Sequence, residues 1–449
     1  MIGSVKKKYC LQTQLTDLQT ELFAAVDTFF SDIRSSFKPL FYFSCPVLES
    51  SLLLWLDAQV MKDRLYWQHR DGLQCLAGVG VAKSFDDLTA LESFYPVLKE
   101  YPFLKVFFRT EFGFGHCDQA AFEGVLPLFS VSDGDGECRF CCQFLVDEKQ
   151  DYLKQHQWVT EQIGRLLPVN SLMPHVLPRA EMLSHFPEFD QWNTQVSSVM
   201  KSFSEASLKK IVLSRKTTLS FSCCLSLFSL ASLLLSQTSQ VFVSLWQREQ
   251  SKGVLCFSPE LLFERHGLQF CCDVMAGTRS RGASFDEDAA LEEALLQSEK
   301  DVYEHSLVRE GLMDSLRPFV TRCEALPMMV KKMSHVQHLY QLITGQLTEV
   351  DDWTLLQCLS PSAAVGAVPK NEGLAVLSAI EGFDRSWYAG CFGVLDGQSM
   401  SVAVSIRMAV LTARKLILHA GAGIVPGSVA EDEWEELNSK IKIFLRVLT

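Results

Sequence analysis

The spacing of apolar side chains predicts blocks of strands combined with a few long helices. Short apolar runs bounded by polar or glycine residues are typical of strands, and apolar residues at helical spacing are typical of helices. The predicted strands of the C-terminal part occupy residues 210–219, 240–246, 253–257, 268–274 and 415–418. The predicted helices occupy residues 190–209, 223–235 and 284–313, and a last helix begins near Ala430. This order favours α+β layers over a regular βαβ alternation.

A hairpin is the clearest local prediction in the chain. Asp396-Gly397 separates the apolar runs 393–395 and 399–406, and an Asp-Gly pair between such runs is typical of a tight β-turn. Upstream of residue 190 the signals are weaker, with strands predicted over Arg64–Gln68 and 76–81. Four prolines mark an irregular connection before residue 190, namely Pro168, Pro174, Pro178 and Pro187.

Residues 219–236 contain no charged side chain, and 18 uncharged residues are just long enough to span a membrane. The segment also contains six serines and the pair Cys223-Cys224, and predicted strands flank it. We therefore interpret it as a core helix between two strands and expect no membrane association.

Composition supports a large folded protein and excludes some classes of function. The 449 residues are 48% hydrophobic and include 31 Phe, which is ample material for a core. A net charge of −12 shows no excess of basic residues of the kind that is typical of nucleic-acid-binding proteins. The fifteen cysteines, with no apolar segment typical of an export signal near Lys6, predict reduced thiols in a cytoplasmic protein. Cys138, Cys141 and Cys142 lack a second ligand pair at zinc-finger spacing, so we interpret them as buried thiols.

Two acidic segments in the last third of the chain suggest a metal site. Asp301 and Glu304 are three residues apart on one predicted helix, and Glu433 and Glu436 repeat this spacing after a glycine-rich turn predicted over 420–425. Residues three apart share a helix face. Oxygen ligands without Cys or His are typical of a hard cation such as Mg²⁺, which could hold an anionic substrate.

Other candidate residues are unremarkable one by one. Lys210 opens a predicted strand, where a lysine is usually only solvated, and Glu260 follows a proline at the end of another. Gly277 lies in a predicted loop, 276–282, whose two glycines and two arginines are a weak signal for anion binding and do not form a P-loop.

The order of several motifs is far more specific than any one of them. In chain order they are KIVLSR (210–215), FSPELL (257–262), AGTRSRG (276–282), SEKDVYEH (298–305), PSAAVG (361–366), FDRSWYAG (383–390), VSIR (404–407), HAGAGIVPGS (419–428) and EWEELNSK (433–440). This series resembles the chorismate-binding enzyme family, and most closely isochorismate synthases of the menaquinone-pathway type. It covers residues 190–445, whereas residues 1–189 form a diverged half. The resemblance implies one chorismate-utilising domain over 1–449, with two large antiparallel sheets packed as a sandwich and helices outside.

The resemblance also implies roles for particular residues. Lys210 corresponds to the general base and Glu260 to the general acid, while Glu304 and Glu436 match the magnesium ligands. Asp301 and Glu433 become nearby, supporting carboxylates. The residues that match the substrate pocket are Gly277, Thr278, His338, Ala364, Tyr388, Arg407, Gly421 and Lys440.

Within the family, the residue at the lysine position separates chemistries. Members that use ammonia typically lack this lysine, so Lys210 favours water as the nucleophile. Ala364 stands where anthranilate- and salicylate-forming members usually carry threonine. Two departures concern a turn of the pocket region, because Ser360 replaces a usual histidine and Ala367 a usual glycine. The stretch 47–50 resembles a short tryptophan-binding motif of anthranilate synthases, and we interpret it as a strand instead.

These points predict a magnesium-dependent isochorismate synthase that acts on chorismate as a monomer, and the resemblance favours menaquinone synthesis as the use of its product. The alternatives are a salicylate synthase, which goes on to eliminate pyruvate from isochorismate, and a chorismate-family scaffold without catalytic activity.

Overall fold

The computed structural model describes residues 8–33, 39–48, 51–116, 120–134, 136–169, 177–205, 208–249, 251–333, 336–349 and 352–449. Pro174, and Glu49 and Ser50 of the 47–50 stretch, lie outside these ranges.

Eleven α-helices form within the described ranges. They are α1 (Leu15–Asp32), α2 (Leu52–Ala58), α3 (Leu88–Glu100), α4 (Tyr152–Gly164), α5 (Phe189–Glu205), α6 (Leu227–Leu235), α7 (Phe285–Gln297), α8 (Glu299–Leu316), α9 (Asp352–Leu359), α10 (Lys370–Ile380) and α11 (Ala430–Leu448). No helix in these ranges combines the length and the apolar character that crossing a membrane requires.

Twenty strands are described as well. They are β1 (Leu40–Pro46), β2 (Arg64–Gln68), β3 (Cys75–Phe85), β4 (Val106–Thr110), β5 (Phe122–Gly134), β6 (Glu137–Leu145), β7 (Met182–Phe186), β8 (Lys210–Ser220), β9 (Phe242–Glu249), β10 (Lys252–Ser258), β11 (Leu261–His266), β12 (Gln269–Ser280), β13 (Val320–Ala325), β14 (Met329–Lys332), β15 (Val336–Leu347), β16 (Ala367–Val368), β17 (Cys391–Leu395), β18 (Ser399–Val404), β19 (Met408–Thr412) and β20 (Lys415–Ile424).

The strands pair antiparallel in two long ladders that share β5. The first ladder runs β1-β6-β5-β3-β2-β9-β10-β19-β20-β8, and both β7 and β16 pair with β8. The second runs β5-β4-β17-β18-β11-β12-β15, and both β13 and β14 pair with β15. Residues 129–134 of β5 pair with β6, whereas residues 122–125 pair with β4. The two sheets are therefore continuous through one strand.

Two hydrophobic clusters show how the sheets and helices pack in layers. On β9, Val243 and Leu245 belong to one cluster with the buried faces of α1, α5, α6 and α11, whereas Phe242 and Trp246 belong to the other. Side chains alternate between the two faces of a strand, so the first ladder has helices on one face. Its other face packs against the second ladder, and α8 and α9 contribute to that cluster. The predicted α+β fold, with antiparallel sheets packed as a sandwich, is confirmed.

Most predicted elements of the C-terminal part are present, with shifted ends. The hairpin is confirmed as β17 and β18, and Oδ1 of Asp396 accepts hydrogen bonds from the backbone N–H groups of Gln398 and Ser399. The uncharged segment forms the largely buried α6, which begins only at Leu227 because Ser226 caps it.

Three predictions about local structure were wrong, and one strand was missed. The helix predicted over 284–313 is two helices, because Ser298 is extended and its hydroxyl caps α8 by accepting from the N–H of Asp301. The predicted loop 276–282 is mostly β12, with a bulge between Ala276 and Thr278. The predicted turn 420–425 is the end of β20, paired with β8. Strand β11, directly after Glu260, was not predicted.

Candidate active site

A cavity lies where β8, β12 and β20 approach α8 and α11. Eleven of the fourteen site residues predicted from the sequence line it, namely Glu260, Gly277, Thr278, Glu304, His338, Ala364, Tyr388, Arg407, Gly421, Glu436 and Lys440. The other three, Lys210, Asp301 and Glu433, do not line it. Residues from 260 to 440 thus converge on one space, although they come from distant parts of the chain.

Lys210 lies just behind the cavity wall. It is the first residue of β8, has no exposed surface, and its Nζ is 3.0 Å from Oε1 of Glu304 on α8. Gly423 on β20 makes this approach possible, since a Cβ there would overlap the Glu304 carboxylate and lie 3.2 Å from Cε of Lys210. The glycine therefore lets an acidic helix approach the strands closely.

Glu260 joins β10 to β11 and is only 4% exposed. Burial raises the pKa of its carboxyl to about 8, and the negative charge of Asp273 acts in the same direction. The positive charges of Lys210, Lys440 and Lys331 oppose this shift. Glu260 is consequently protonated near neutral pH, which is the form that can donate a proton.

Asp273 and Lys331 surround Glu260 and were not foreseen from the sequence. Asp273 on β12 accepts hydrogen bonds from the backbone N–H of Leu261 at 3.0 Å and from the Tyr340 hydroxyl at 2.9 Å. Lys331 donates to the carbonyl of Pro259 at 3.3 Å, and burial lowers its pKa to about 8. The one available signal was an aspartate inside the apolar run 270–275, where a charge needs a partner.

A half-buried cationic group forms another part of the wall. Arg407 donates a hydrogen bond to Nε2 of His338 at 3.0 Å, and the His338 Nδ1 lies 3.1 Å from Oγ1 of Thr278. Because arginine can only donate, Nε2 accepts, and Nδ1 carries the proton that it donates to Thr278. Burial and the charge of Arg407 hold the pKa of His338 well below its usual value, so the ring is neutral. Gly277, with φ +79°, forms the bulge beside Thr278.

Tyr388 and His419 close a further side of the cavity. Their rings stack with centroids 5.1 Å apart, and a Cβ at Gly421 would lie only 2.8 Å from the Tyr388 hydroxyl oxygen. Lys440 on α11 donates to the carbonyl of Gly421 at 2.7 Å. A glycine at 421 therefore leaves room for a tyrosine and a lysine at the same place.

The four predicted metal-binding carboxylates divide into two pairs. Glu304 and Glu436 line the cavity, and Nζ of Lys440 lies 2.7 Å from Oε1 of Glu436. Within the described ranges, no three or more His, Cys, Asp or Glu side chains gather closely enough to hold a metal ion. Among the described residues these four carboxylates therefore do not form one cluster, and their role as metal ligands stays a prediction.

The second pair is already occupied by cations. Asp301 accepts from Arg279 at 2.5 Å, and Glu433 forms an ion pair with Lys300. Burial and the charge of Glu436 raise the pKa of Glu433 to about 7. These two carboxylates fix the ends of α8 and α11 beside the cavity.

Comparison with known proteins gives a consistent picture. A family described as "Chorismate binding enzyme" matches residues 106–449, which starts well upstream of residue 190. "Isochorismate synthase MenF" of Pasteurella multocida is 29% identical over 400 residues, covering 87% of this chain and 88% of that protein. The solved structure of MenF, the menaquinone-specific isochorismate synthase from Escherichia coli, superposes with a TM-score of 0.85 at 25% identity, covering 95% of this chain and 99% of that one. The fold also resembles anthranilate synthase component I from Streptococcus pneumoniae, with a TM-score of 0.62 at 18% identity, covering 88% of this chain and 93% of that one.

Proposed function

This chain belongs to the chorismate binding enzymes, and on that premise we propose that it is an isochorismate synthase that converts chorismate to isochorismate. The proposal depends most on two buried groups, a protonated glutamic acid in the cavity wall, Glu260, and a lysine directly behind that wall, Lys210. Relatives that span most of the chain are isochorismate synthases. We further propose that the product enters menaquinone synthesis, since the structural relative is menaquinone-specific.

The reaction needs both a base and an acid. Water adds at C2 of the chorismate ring, the double bonds shift, and the C4 hydroxyl leaves as water. Lys210 takes a proton from the attacking water, and Glu260 donates a proton to the departing hydroxyl. One water enters and one leaves, so the reaction is an isomerisation. The raised pKa of Glu260 suits its role because the acid must be protonated when substrate binds.

The remaining wall residues are suited to hold a dicarboxylate. Arg407 is a half-buried cation in the wall, and Lys440 and the Tyr388 hydroxyl supply further donors. The Gly277-Thr278 bulge and Gly421 present backbone without bulky side chains. His338, neutral and held by Arg407, contacts the substrate near the departing hydroxyl. Ala364 leaves space at the position where other members carry threonine.

Magnesium fits the chemistry of the two carboxylates in the wall. Mg²⁺ is commonly bound by one or two carboxylates, with waters and substrate oxygens completing its shell. Glu304 and Glu436 would hold it, with Asp301 and Glu433 supporting the two helices. When bound, the ion would neutralise a substrate carboxylate and fix its orientation. A cation there would also replace lysine as the partner of each carboxylate, because Lys210 and Lys440 now contact them.

A magnesium titration tests these ligands. We expect Glu304→Gln to weaken the apparent affinity for Mg²⁺ by about tenfold or more, as judged by calorimetry and by activity. Glu310→Gln is the matched control, because Glu310 is an exposed carboxylate on the same helix. An unchanged titration in Glu304→Gln would contradict the ligand role.

Product identification tests the proposed reaction itself. Purified protein is incubated with chorismate and Mg²⁺, and the products are separated by chromatography. Isochorismate alone supports the proposal. Salicylate with pyruvate would instead indicate a salicylate synthase, which eliminates pyruvate from isochorismate, and unchanged chorismate would indicate a non-catalytic scaffold.

We also propose that the enzyme is a cytoplasmic monomer. The fourteen cysteines within the described ranges are free thiols, which fits a reducing compartment. Size-exclusion chromatography with light scattering would test the monomer, and a mass twice that of the 50.5 kDa chain would contradict it.

A further inference from the structure

A second cavity, of about 470 Å³, lies on the same face of the first ladder as the candidate active site. Strands β8, β9, β10, β19 and β20 contribute to it, together with residues 384–387. His419 lines both cavities, and Tyr388, stacked on His419, lines the first, while the neighbouring Trp387 lines the second. The stacked rings thus lie at the boundary between the two spaces.

The lining of the second cavity is rich in basic side chains although the whole chain is acidic. Its charged lining residues are Arg109, Lys216, Arg248, Lys252 and Arg385 against Glu249 and Asp384. Carboxylates outside the lining balance this excess, since Glu123, Asp63 and Glu381 pair with the arginines. A preference for anions therefore depends on a cation that has no such partner.

Most of these cations already have carboxylate partners, but Lys216 differs. Arg385 pairs with Glu381, and Arg109 with Glu123. Within the described ranges no carboxylate oxygen lies within 4.0 Å of the Lys216 ammonium group, which sits 4.3 Å from the centroid of the Phe383 ring. Burial lowers the pKa of Lys216, so an anion beside it would restore a favourable environment for the charge.

Two buried polar groups of the lining also lack partners. Trp246 is 3% exposed and His419 is 6% exposed, yet the Trp246 Nε1 and the His419 Nδ1 have no hydrogen-bond partner among the described residues. The indole N–H can only donate, so it requires an acceptor. Burying such a group without a partner is costly, and an acceptor on a ligand would remove that cost.

The lining also offers flat apolar surface. The Trp387 ring packs under the Arg109 guanidinium at 3.8 Å from the ring centroid, and Val254 and Met408 contribute aliphatic surface. We propose that this second cavity binds a small aromatic carboxylate, with Lys216 as the charge partner and the Trp246 N–H as a donor. The site is distinct from the chorismate site, and the proposal does not rest on the proposed function.

Calorimetry with 4-hydroxybenzoate tests the proposal. We expect saturable binding to the full-length protein, weakened about tenfold by Lys216→Met and by Trp387→Leu. Lys149→Met is the matched control, since Lys149 is an exposed lysine that does not line the second cavity. This variant should bind 4-hydroxybenzoate with the affinity of the wild type. The neutral analogue 4-hydroxybenzamide should bind about tenfold more weakly than the acid.

A further variant separates the two cavities. Arg407→Gln alters the first cavity and should leave 4-hydroxybenzoate binding unchanged, whereas lost binding in this variant would place the ligand in the first cavity and overturn the proposal. Absence of binding to the wild type, or equal affinity in Lys216→Met and wild type, would also overturn it. If circular dichroism shows that Lys216→Met is unfolded, the affinity of Trp387→Leu for 4-hydroxybenzoate takes its place, and an affinity equal to that of the wild type would overturn the proposal.

Discussion

At the scale of single residues, burial gives ordinary side chains their chemical character. Lys210 and Glu260 are common residue types at ordinary positions along the chain, yet one is fully buried and the other nearly so. Composition and spacing cannot reveal this, because the groups that surround them come from distant segments. Only the combined order of nine motifs directed attention to these two residues.

Removing the Lys210 amine should abolish turnover without removing the binding site. We expect Lys210→Ala to lower kcat by about 100- to 10,000-fold, the usual contribution of a general base. Calorimetry should still detect chorismate binding in the presence of Mg²⁺, because Arg407 and Lys440 remain. A near-normal kcat in this variant would contradict the assignment of Lys210 as the base.

The pH dependence of kcat should reflect the ionisation of the Glu260 carboxyl. Glu260 acts in its protonated form, and its pKa is about 8, so kcat should fall by about tenfold per pH unit above that value. The negative charge of Asp273 raises this pKa and the positive charge of Lys331 lowers it. Asp273→Asn should therefore move the alkaline limb to lower pH, and Lys331→Met should move it to higher pH.

A neighbouring carboxylate serves as the control for these pH profiles. Glu264 lies on β11 with its side chain 39% exposed and does not line the first cavity. Glu264→Gln should leave the alkaline limb in place. Shifts of equal sign in Asp273→Asn and Lys331→Met would show that the limb does not follow the charge around Glu260.

At the scale of elements, glycines determine how closely the helices approach the strands. Residues 420–425 were predicted to form a turn because glycine is common in turns, but β20 continues to Ile424. The glycines there serve the cavity, since Gly421 accommodates Tyr388 and Gly423 accommodates Glu304. Local propensity could not show this, because the reason lies on other elements.

Gly423→Ala tests this close approach. The added Cβ would overlap the Glu304 carboxylate, so α8 or the side chain must move. We expect kcat/KM to fall on the order of 100-fold, the usual cost of a small misplacement at a reacting centre. Gly164→Ala is the control, because a Cβ at Gly164 meets nothing within 4 Å, and it should retain full activity. Equal activity in both variants would contradict the account.

The prediction of helices and strands was correct where local sequence signals determine the structure. The Asp396-Gly397 hairpin and the strand that begins at Lys210 follow from turn chemistry and apolar alternation. The break at Ser298 was missed because acidic and apolar residues continue on both sides, and only the backbone shows the cap. Strand β11 was missed because its apolar start directly follows Pro259 and Glu260, which resembled the end of an element.

At the scale of the whole molecule, the N-terminal part is joined to the rest by strand pairing. Strand β2 pairs with β9, and β4 pairs with β17, so both ladders contain strands from before residue 190. The sequence could not reveal this, because the motifs thin out in that part. We propose on this basis that residues 1–189 and 190–449 form a single domain.

A fragment of the chain tests whether the two parts form a single domain. Residues 190–449 alone would expose the edges of β9 and β17 and part of both cores, so we expect no cooperative thermal unfolding by circular dichroism. The full chain should show one cooperative transition. A fragment that unfolds cooperatively and turns over chorismate would contradict this proposal.

The central claim is that water adds at C2 while the C4 hydroxyl leaves. The most direct measurement is turnover of chorismate in oxygen-18-labelled water, with mass spectrometry of the product at early times. We expect isochorismate with one oxygen-18 atom at C2, and the Lys210→Ala variant should form almost none. Isochorismate without the label, or no isochorismate at all, would show that the proposed addition of water does not occur.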